Sequence, residues 1–277
     1  MARVKVGVEN GADIEIYYED HGNGRPVVLI HGYPLNGRSW ERQQSELLAA
    51  GFRAINYDRR GFGLSSQPTT GYDYDTFAGD LNALLDHLAL DEVDLVGFSM
   101  GTGEVTRYLG AYGSGRVRKA ALLGAIPPFL LKTEDNPEGV DGSIFDGIRA
   151  AVVADRPAYF KAFLDDFYNV DVLGGKRISD QAWQASFNVA VAASPFAADA
   201  CVPTWLTDFR ADLPKIDVPT LLVHGDADRI LPFEATAKRL PGLIADLTFV
   251  VVEGGPHNIA WTHPEKVNAA LKDFLGF

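Results

Sequence analysis

The stretch Gly97-Phe98-Ser99-Met100-Gly101 largely decides how this chain is expected to fold. A short apolar run typical of a strand, residues 92–96, precedes it, and a segment with helical character, residues 103–109, follows it. A strand that turns sharply into a helix is the context of the G-x-S-x-G nucleophile elbow. The two glycines leave room for neighbouring backbone to pass close by. We therefore expect Ser99 to stand on a tight corner that suits acyl transfer, although a glycine-rich turn would contain the same five residues.

Composition limits the classes of protein to which the chain can belong. Its 277 residues fit one large domain or a domain with an insertion, and 47% hydrophobic and 22% charged residues are typical of a globular protein. A formal net charge of −12 argues against nucleic-acid binding. Neither an apolar run of about 18 residues nor a signal-peptide pattern is present, so we expect no membrane contact. Cys201 is the only cysteine, which favours a reducing, cytoplasmic location.

The order of strand and helix patterns predicts an α/β protein. Residues 4–8 and 14–18 have the pattern of a hairpin, and later segments alternate between apolar strands and amphipathic helices. The middle of the chain lacks such strands and is rich in alanine and aromatic residues, so we interpret it as helical. We expect a mostly parallel eight-stranded sheet flanked by helices. The predicted boundaries are 1–126 and 218–277 for this core and 127–217 for a helical cap.

Two residues late in the chain complete a catalytic pattern with Ser99. The strand–helix alternation resumes with strands at 220–224 and 248–252 and helices at 233–240 and 264–274. Asp228 follows the first of these strands, and His257 follows the second. Open α/β sheets bind ligands where the carboxyl ends of their parallel strands meet. A serine nucleophile needs a base and an acid that orients the base. Ser99, His257 and Asp228 are therefore predicted as nucleophile, base and orienting acid.

Other residues compete for these roles. Asp226 is an alternative acid, but Asp228 lies further into the loop and is favoured. His31 and His224 end strands, where we expect them to make structural hydrogen bonds. The three remaining histidines are interpreted as surface or helix-start residues: His21, His87 and His263. Metal-ligand spacing such as H-E-x-x-H is not found.

An oxyanion hole requires two backbone donors beside the nucleophile. The Met100 N–H lies at the predicted start of the elbow helix, where backbone donors are unpaired. His31-Gly32-Tyr33-Pro34 follows a buried strand that should lie beside the elbow, so we assign the Tyr33 N–H as the second donor. Pro34 fixes its own φ and restricts Tyr33 to the extended region, which would make this corner rigid.

Together these motifs resemble the α/β-hydrolase fold family, in which the triad occurs in the chain order serine, aspartate, histidine. More narrowly, the chain is similar to the cofactor-free bacterial haloperoxidases, a branch that also contains perhydrolases, arylesterases and γ-lactamases. The stretches that carry the narrower resemblance are residues 57–63, 70–77, 97–103 and 261–263. The resemblance extends over nearly the whole chain.

The resemblance implies a helical cap over the pocket, a Ser-His-Asp triad and no haem or metal cofactor. It also implies esterase activity and the formation of a peracid from hydrogen peroxide and a short carboxylic acid, after which the peracid oxidises halide in solution. The expected partners are thus a small-molecule ester or carboxylic acid and hydrogen peroxide. Several members of the branch are trimers or larger, so a homo-oligomer is an open expectation.

Two departures from the branch leave the substrate open. Residues 258–260 read Asn-Ile-Ala where some relatives have Gly-Leu-Leu, and residues 125–129 also differ. A γ-lactamase that uses the same triad remains an alternative, as does a non-catalytic ligand receptor with the same fold. Dehalogenases and epoxide hydrolases are disfavoured because they have aspartate at the position of Ser99.

Overall fold

The computed structural model describes all 277 residues and contains one eight-stranded sheet with the order β1-β2-β4-β3-β5-β6-β7-β8. The strands β1 and β2 pair antiparallel, β2 also pairs antiparallel with β4, and the remaining pairs are parallel. The predicted α/β class and the mostly parallel sheet are confirmed. The strands are β1 Ala2–Glu9, β2 Ala12–His21, β3 Pro26–Ile30, β4 Arg53–Tyr57, β5 Val93–Phe98, β6 Val117–Leu123, β7 Thr220–Gly225 and β8 Leu247–Val252.

Helices cover both faces of this sheet. The central strands β5 and β7 are buried along their whole length, as expected for parallel strands covered on both sides. Before β7 the helices are α1 Glu41–Ala49, α2 Tyr74–His87, α3 Met100–Tyr112, α4 Gly142–Tyr168, α5 Val170–Leu173, α6 Asp180–Val191 and α7 Pro195–Thr204. After β8 they are α8 Ile259–Thr262 and α9 Pro264–Leu275.

The segment between β6 and β7 is helical, as predicted, and we refer to α4–α7 as the helical insertion. Its longest helix, α4, is bent at Asp155, whose φ of −156° and ψ of 88° lie outside the helical region. Pro157 follows the bend, and its ring cannot continue the regular hydrogen-bond pattern. One hydrophobic cluster of 70 buried residues includes both sheet and insertion side chains. The division into core and cap at residues 127 and 217 therefore stays a prediction.

One predicted helix is wrong. Residues 233–240 form two short 3-10 helices, Phe233–Ala235 and Ala237–Arg239, instead of one α-helix. Thr236 separates them with a φ of −126° and a ψ of −97°, and its hydroxyl donates to the Pro232 carbonyl at 2.9 Å. Such a side-chain bond to the backbone competes with helix formation.

None of the helices combines the length and the apolar composition that a membrane-spanning helix needs. The helices α6 and α7 reach that length and apolar composition only when they are taken together, and a bend of 94° separates them.

Candidate active site

The elbow places Ser99 between β5 and α3 with a φ of 54° and a ψ of −120°. A residue other than glycine is strained at positive φ, and such strain is common at active sites. The motif glycines are required here by space. A Cβ on Gly97 would lie 2.5 Å from the Gly101 carbonyl oxygen, and a Cβ on Gly101 would overlap the Ile30 carbonyl oxygen. The glycine-rich turn that the sequence left as an alternative is therefore part of the same tight corner that holds Ser99.

The structure brings the three predicted catalytic residues together. The Ser99 Oγ lies 2.8 Å from His257 Nε2, and His257 Nδ1 lies 2.7 Å from Asp228 Oδ2. The side chains of His257 and Asp228 are fully buried, and Ser99 is 6% exposed. The three residues follow β5, β8 and β7, whose carboxyl ends lie at one edge of the sheet. A continuous hydrogen-bonded chain thus leads from the hydroxyl to the carboxylate.

The surroundings of Asp228 favour its ionised form. Burial opposes ionisation, but the charge of His257 and hydrogen bonds from His224 and His257 outweigh it and hold the pKa of Asp228 well below its usual value. Oδ1 of Asp228 also accepts the N–H groups of Ile230 and Leu231 at 2.8 Å. An ionised Asp228 can keep the Nδ1 proton on His257 and leave Nε2 free to accept a proton from Ser99.

The competing acid Asp226 is engaged elsewhere. Its Oδ1 accepts the Gly254 N–H at 2.7 Å, which closes the loop that precedes His257. The structure records no hydrogen bond between Asp226 and His257.

The two predicted oxyanion donors belong to two segments that meet at Ser99, the start of α3 and the loop after β3. Met100 is the first residue of α3, so its N–H belongs to the unpaired donors of the first turn. The Tyr33 N–H has no protein acceptor, and the peptide bond from Tyr33 to Pro34 is cis. Gly32 brings this loop against the elbow, because a Cβ at Gly32 would lie 2.7 Å from the Ser99 Cβ. Both N–H groups are therefore available to an oxygen bound beside Ser99.

A cavity of about 410 Å³ opens in front of Ser99 and Tyr33. Its walls are mainly hydrophobic, and many of the lining side chains belong to the helical insertion or directly follow it, among them Phe145 and Phe163 of α4 and Trp205 after α7. Arg229 and Asp166 also line it. Arg229 lies 3.5 Å from Asp166 and 2.9 Å from Asp171, so its charge is already paired. The cavity suits an apolar acyl or aryl group and offers no unpaired cation to an anionic substrate.

The predicted structural role of His31 is confirmed. Its Nε2 accepts the Arg59 N–H at 2.9 Å, and its Nδ1 lies 2.9 Å from the Gly32 carbonyl. Burial, and then the charge of Arg59, holds the pKa of His31 well below its usual value, so the ring is neutral. Through these bonds His31 fixes the loop that presents Tyr33.

Sequence reasoning missed a buried ion pair behind the oxyanion loop. The Arg59 guanidinium lies 2.7 Å from the Glu104 carboxylate, and the two side chains are 1% and 0% exposed. Arg59 Nη2 also donates to the His31 carbonyl at 3.0 Å, and the Tyr57 hydroxyl donates to Glu104. Glu104 lies on α3, so the pair joins the loop that carries Tyr33 to the helix that carries Met100.

Sequence reasoning also missed a second contact of the orienting acid. His224 was predicted to make structural hydrogen bonds, and it does so with Ala125 and Leu231. Its Nε2 in addition lies 3.2 Å from Asp228 Oδ2. The signal in the sequence is a histidine at the end of a strand, four residues before the acid.

Comparison with known proteins agrees with this geometry. A family model described as the alpha/beta hydrolase fold matches residues 25–264. A Synechocystis protein that carries a provisional non-heme chloroperoxidase name is 65% identical over 275 residues, which are 99% of this chain and 100% of the relative. A bifunctional esterase/perhydrolase of Acinetobacter calcoaceticus is 34% identical over 270 residues, with coverage of 95% and 96%. The crystal structure of a bromoperoxidase from Bacillus anthracis has a TM-score of 0.95 at 46% identity, with coverage of 100% and 99%.

The chain therefore belongs to the α/β-hydrolase fold family. Within this family it is an enzyme of the cofactor-free, non-heme haloperoxidase branch. Both levels of the resemblance seen in the sequence are confirmed.

Proposed function

We propose that this enzyme hydrolyses small carboxylic esters through an acyl-Ser99 intermediate and that hydrogen peroxide can replace water as the acyl acceptor. The observation that carries the proposal is the unbroken hydrogen-bonded chain from Asp228 through His257 to Ser99, which lines an apolar cavity. The similarity to an esterase/perhydrolase along nearly the whole chain supports both acceptors.

The first half of the reaction acylates the enzyme. Ser99 Oγ attacks the ester carbonyl while His257 Nε2 takes the hydroxyl proton. The N–H groups of Tyr33 and Met100 stabilise the oxyanion, and loss of one such donor typically costs about 2.7–4 kcal/mol of barrier. The intermediate then collapses, the C–O bond to the alcohol breaks, and His257 returns the proton to the leaving alkoxide.

The second half releases the acyl group. His257 takes a proton from water or hydrogen peroxide, whose oxygen attacks the acyl carbon, and Ser99 leaves with that proton. Water gives the carboxylic acid and hydrogen peroxide gives the peracid. A carboxylic acid can also acylate Ser99 with loss of water. A released peracid transfers its outer oxygen to a halide ion as the O–O bond breaks, and the proton of the peracid stays with that oxygen, which gives the hypohalous acid and the carboxylate.

The helical insertion is proposed to select the acyl group. The cavity walls that face Ser99 include side chains of α4 and the residue after α7, namely Phe145, Phe163 and Trp205. No observation in the cavity favours a lactam over an ester.

Two further parts of the proposal concern the cellular location and the oligomeric state of the enzyme. A cytoplasmic location is supported by the single, buried Cys201, because a chain with one thiol forms no internal disulfide. Assembly into a homo-oligomer remains an expectation, which sedimentation velocity would test directly.

Replacement of the nucleophile tests the proposal. We expect Ser99→Ala to lower kcat for p-nitrophenyl acetate by about 10⁴-fold or more, because loss of a triad nucleophile leaves only oxyanion and binding contributions. A fluorophosphonate should label the parent protein at Ser99 and leave the variant unlabelled. With peroxide and acetate, the parent should also form peracid, and halogenation should require the carboxylic acid. Equal esterase rates in parent and variant would refute the assignment.

A further inference from the structure

A second imidazole contacts the carboxylate of the triad. His224, near the end of β7, is fully buried, and its Nε2 lies 3.2 Å from Asp228 Oδ2. This is the same oxygen that lies 2.7 Å from His257 Nδ1. One carboxylate oxygen therefore lies between two imidazoles, one of which belongs to the mechanism proposed above.

Hydrogen bonds define which nitrogen of His224 carries the proton. The Ala125 N–H points to Nδ1 at 3.1 Å, and a backbone N–H can only donate, so Nδ1 must be the acceptor. The ring proton of the neutral imidazole is then on Nε2. From there it is donated to the Leu231 carbonyl at 3.1 Å, and the same Nε2 lies 3.2 Å from Asp228 Oδ2, close enough for the N–H to act on the carboxylate charge.

Apart from His257, His224 is the only side chain that makes a polar contact with Oδ2 of Asp228. Oδ1 is held by the N–H groups of Ile230 and Leu231, whereas Oδ2 is held only by the two histidines. No other basic side chain lies within 4.0 Å of the carboxylate. The neighbouring charged groups in the same loop are satisfied elsewhere: Arg229 pairs with Asp166 and Asp171, and Asp226 accepts the Gly254 N–H. The ring of Phe233 covers His224 with a centroid distance of 6.0 Å.

His224 also connects to the wall beside the catalytic base. Its acceptor bond fixes Ala125, and the preceding Gly124 lies against the His257 ring, since a Cβ on Gly124 would be 3.4 Å from Cε1 and 3.5 Å from Nδ1. The same side chain therefore touches the acid directly and holds the backbone next to the base.

We propose that His224 is a positioning residue of the triad, which holds Oδ2 of Asp228 in line with His257 Nδ1 and takes up part of the carboxylate charge. In this role it limits how strongly Asp228 stabilises the protonated form of His257 during acyl transfer. The inference rests on the proposed function, because it assigns His224 a part in the same reaction.

Two substitutions of His224 distinguish the contact of its Nδ1 with Ala125 from the contact of its Nε2 with Asp228. His224→Asn keeps an acceptor near Nδ1 for the Ala125 N–H but has no group that reaches Asp228. His224→Gln places an amide donor near the position of Nε2. We expect the Asn variant to lose kcat/KM by about tenfold, mainly in kcat, because Oδ2 of Asp228 is no longer held in line with His257 Nδ1 and the base is oriented less well. The Gln variant should retain most of the parent's rate.

The pH profile gives a readout that a purely structural role would not move. Without its second donor, the Asp228 carboxylate is more basic and favours the protonated base more strongly. The acid limb of kcat/KM should therefore move to higher pH in His224→Asn and stay near the parental position in His224→Gln. In the Ser99→Ala background, the downfield proton resonance of the Asp228–His257 hydrogen bond should shift in the Asn variant alone.

The outcomes are distinct. An unchanged acid limb together with an unshifted resonance in folded His224→Asn would overturn the proposal. If that variant does not fold, His224→Phe, which can pack on Phe233 but lacks both bonds, must show the same upward shift of the acid limb or the proposal fails. Failure of the proposed function itself would appear differently, as a parent protein whose Ser99 is not labelled by a fluorophosphonate.

Discussion

The two walls of the catalytic cavity are built in different ways. On the sheet side, backbone passes so close to Gly97 and Gly101 that neither can carry a side chain, and Gly32 has no room for one beside Ser99 and Phe98. On the side of the helical insertion, the wall consists of side chains such as Ile148 and Phe163, which are only partly buried. The chemistry thus depends on backbone contacts that few residue types allow. The choice of substrate depends on side chains that many residue types can replace.

Removal of the buried charge behind the oxyanion loop should have the largest effect on stability. Glu104→Gln leaves the Arg59 guanidinium buried without a counter-charge, and the free energy of unfolding should fall by about 3–5 kcal/mol. The matched change in the helical insertion is Arg149→Ala. It breaks an exposed pair with Asp199 at 2.8 Å, and its effect on the free energy of unfolding should be much smaller because solvent screens exposed charges.

Urea denaturation followed by circular dichroism measures both values. Glu104→Gln should also lower kcat, because the pair joins the loop and the helix that present the two oxyanion donors. Similar losses of stability in Glu104→Gln and Arg149→Ala would contradict the view that the sheet side tolerates fewer changes than the helical insertion.

A methyl group added to a glycine should have opposite effects at the elbow and in the helical insertion. Gly101→Ala places a Cβ against the Ile30 carbonyl and should cost about 1–3 kcal/mol of stability and reduce the esterase rate. Gly147 lies on an exposed face of α4 with open space around its Cβ position. Gly147→Ala should therefore stabilise the protein by about 0.5–1 kcal/mol, because alanine favours a helix. Thermal unfolding measures the stability of both variants relative to the parent, and an esterase assay measures the activity of Gly101→Ala. A stable, fully active Gly101→Ala would contradict the account of the elbow.

The smallest effect should be a change of substrate preference without damage to the triad. Phe163→Ala enlarges the cavity and should raise the ratio of kcat/KM for p-nitrophenyl hexanoate over the acetate by roughly tenfold, as expected for a few methylenes in an apolar pocket. Phe187→Ala is the control, because Phe187 lies on α6, stacks on Trp183 and does not line the cavity. Fluorophosphonate labelling should proceed at the parental rate in both variants. An equal change of the ratio in both would show that Phe163 does not set acyl length.

Sequence could predict the parts of the molecule that depend on local pattern. Gly97, Ser99 and Gly101 specify a strand, a corner and a helix over a few residues, and Asp228 and His257 follow strands whose order places them at the same edge. The sheet and the positions of these residues could therefore be anticipated, whereas their catalytic roles remain proposals that variants must test.

The rest depends on contacts between distant segments. Arg59 and Glu104 are 45 positions apart, and nothing local marks either as a buried partner of the other. The same is true of the second contact of Asp228, since His224 resembled any histidine at the end of a strand. The error at residues 233–240 has a local cause, because the Thr236 hydroxyl bonds to backbone in a way that a hydrophobic pattern does not reveal.

The bend of α4 at Asp155 divides the cavity wall formed by this helix into two separate parts. Phe145 and Ile148 reach the cavity from the arm before the bend, whereas Tyr159 and Phe163 reach it from the arm after it. A straight helix would present one stripe, so that a shift along its axis would move every side chain together. With a joint in the middle, evolution or a protein engineer can remodel one arm and keep the other, and so change the shape of the substrate site step by step while Ser99 and its partners stay untouched.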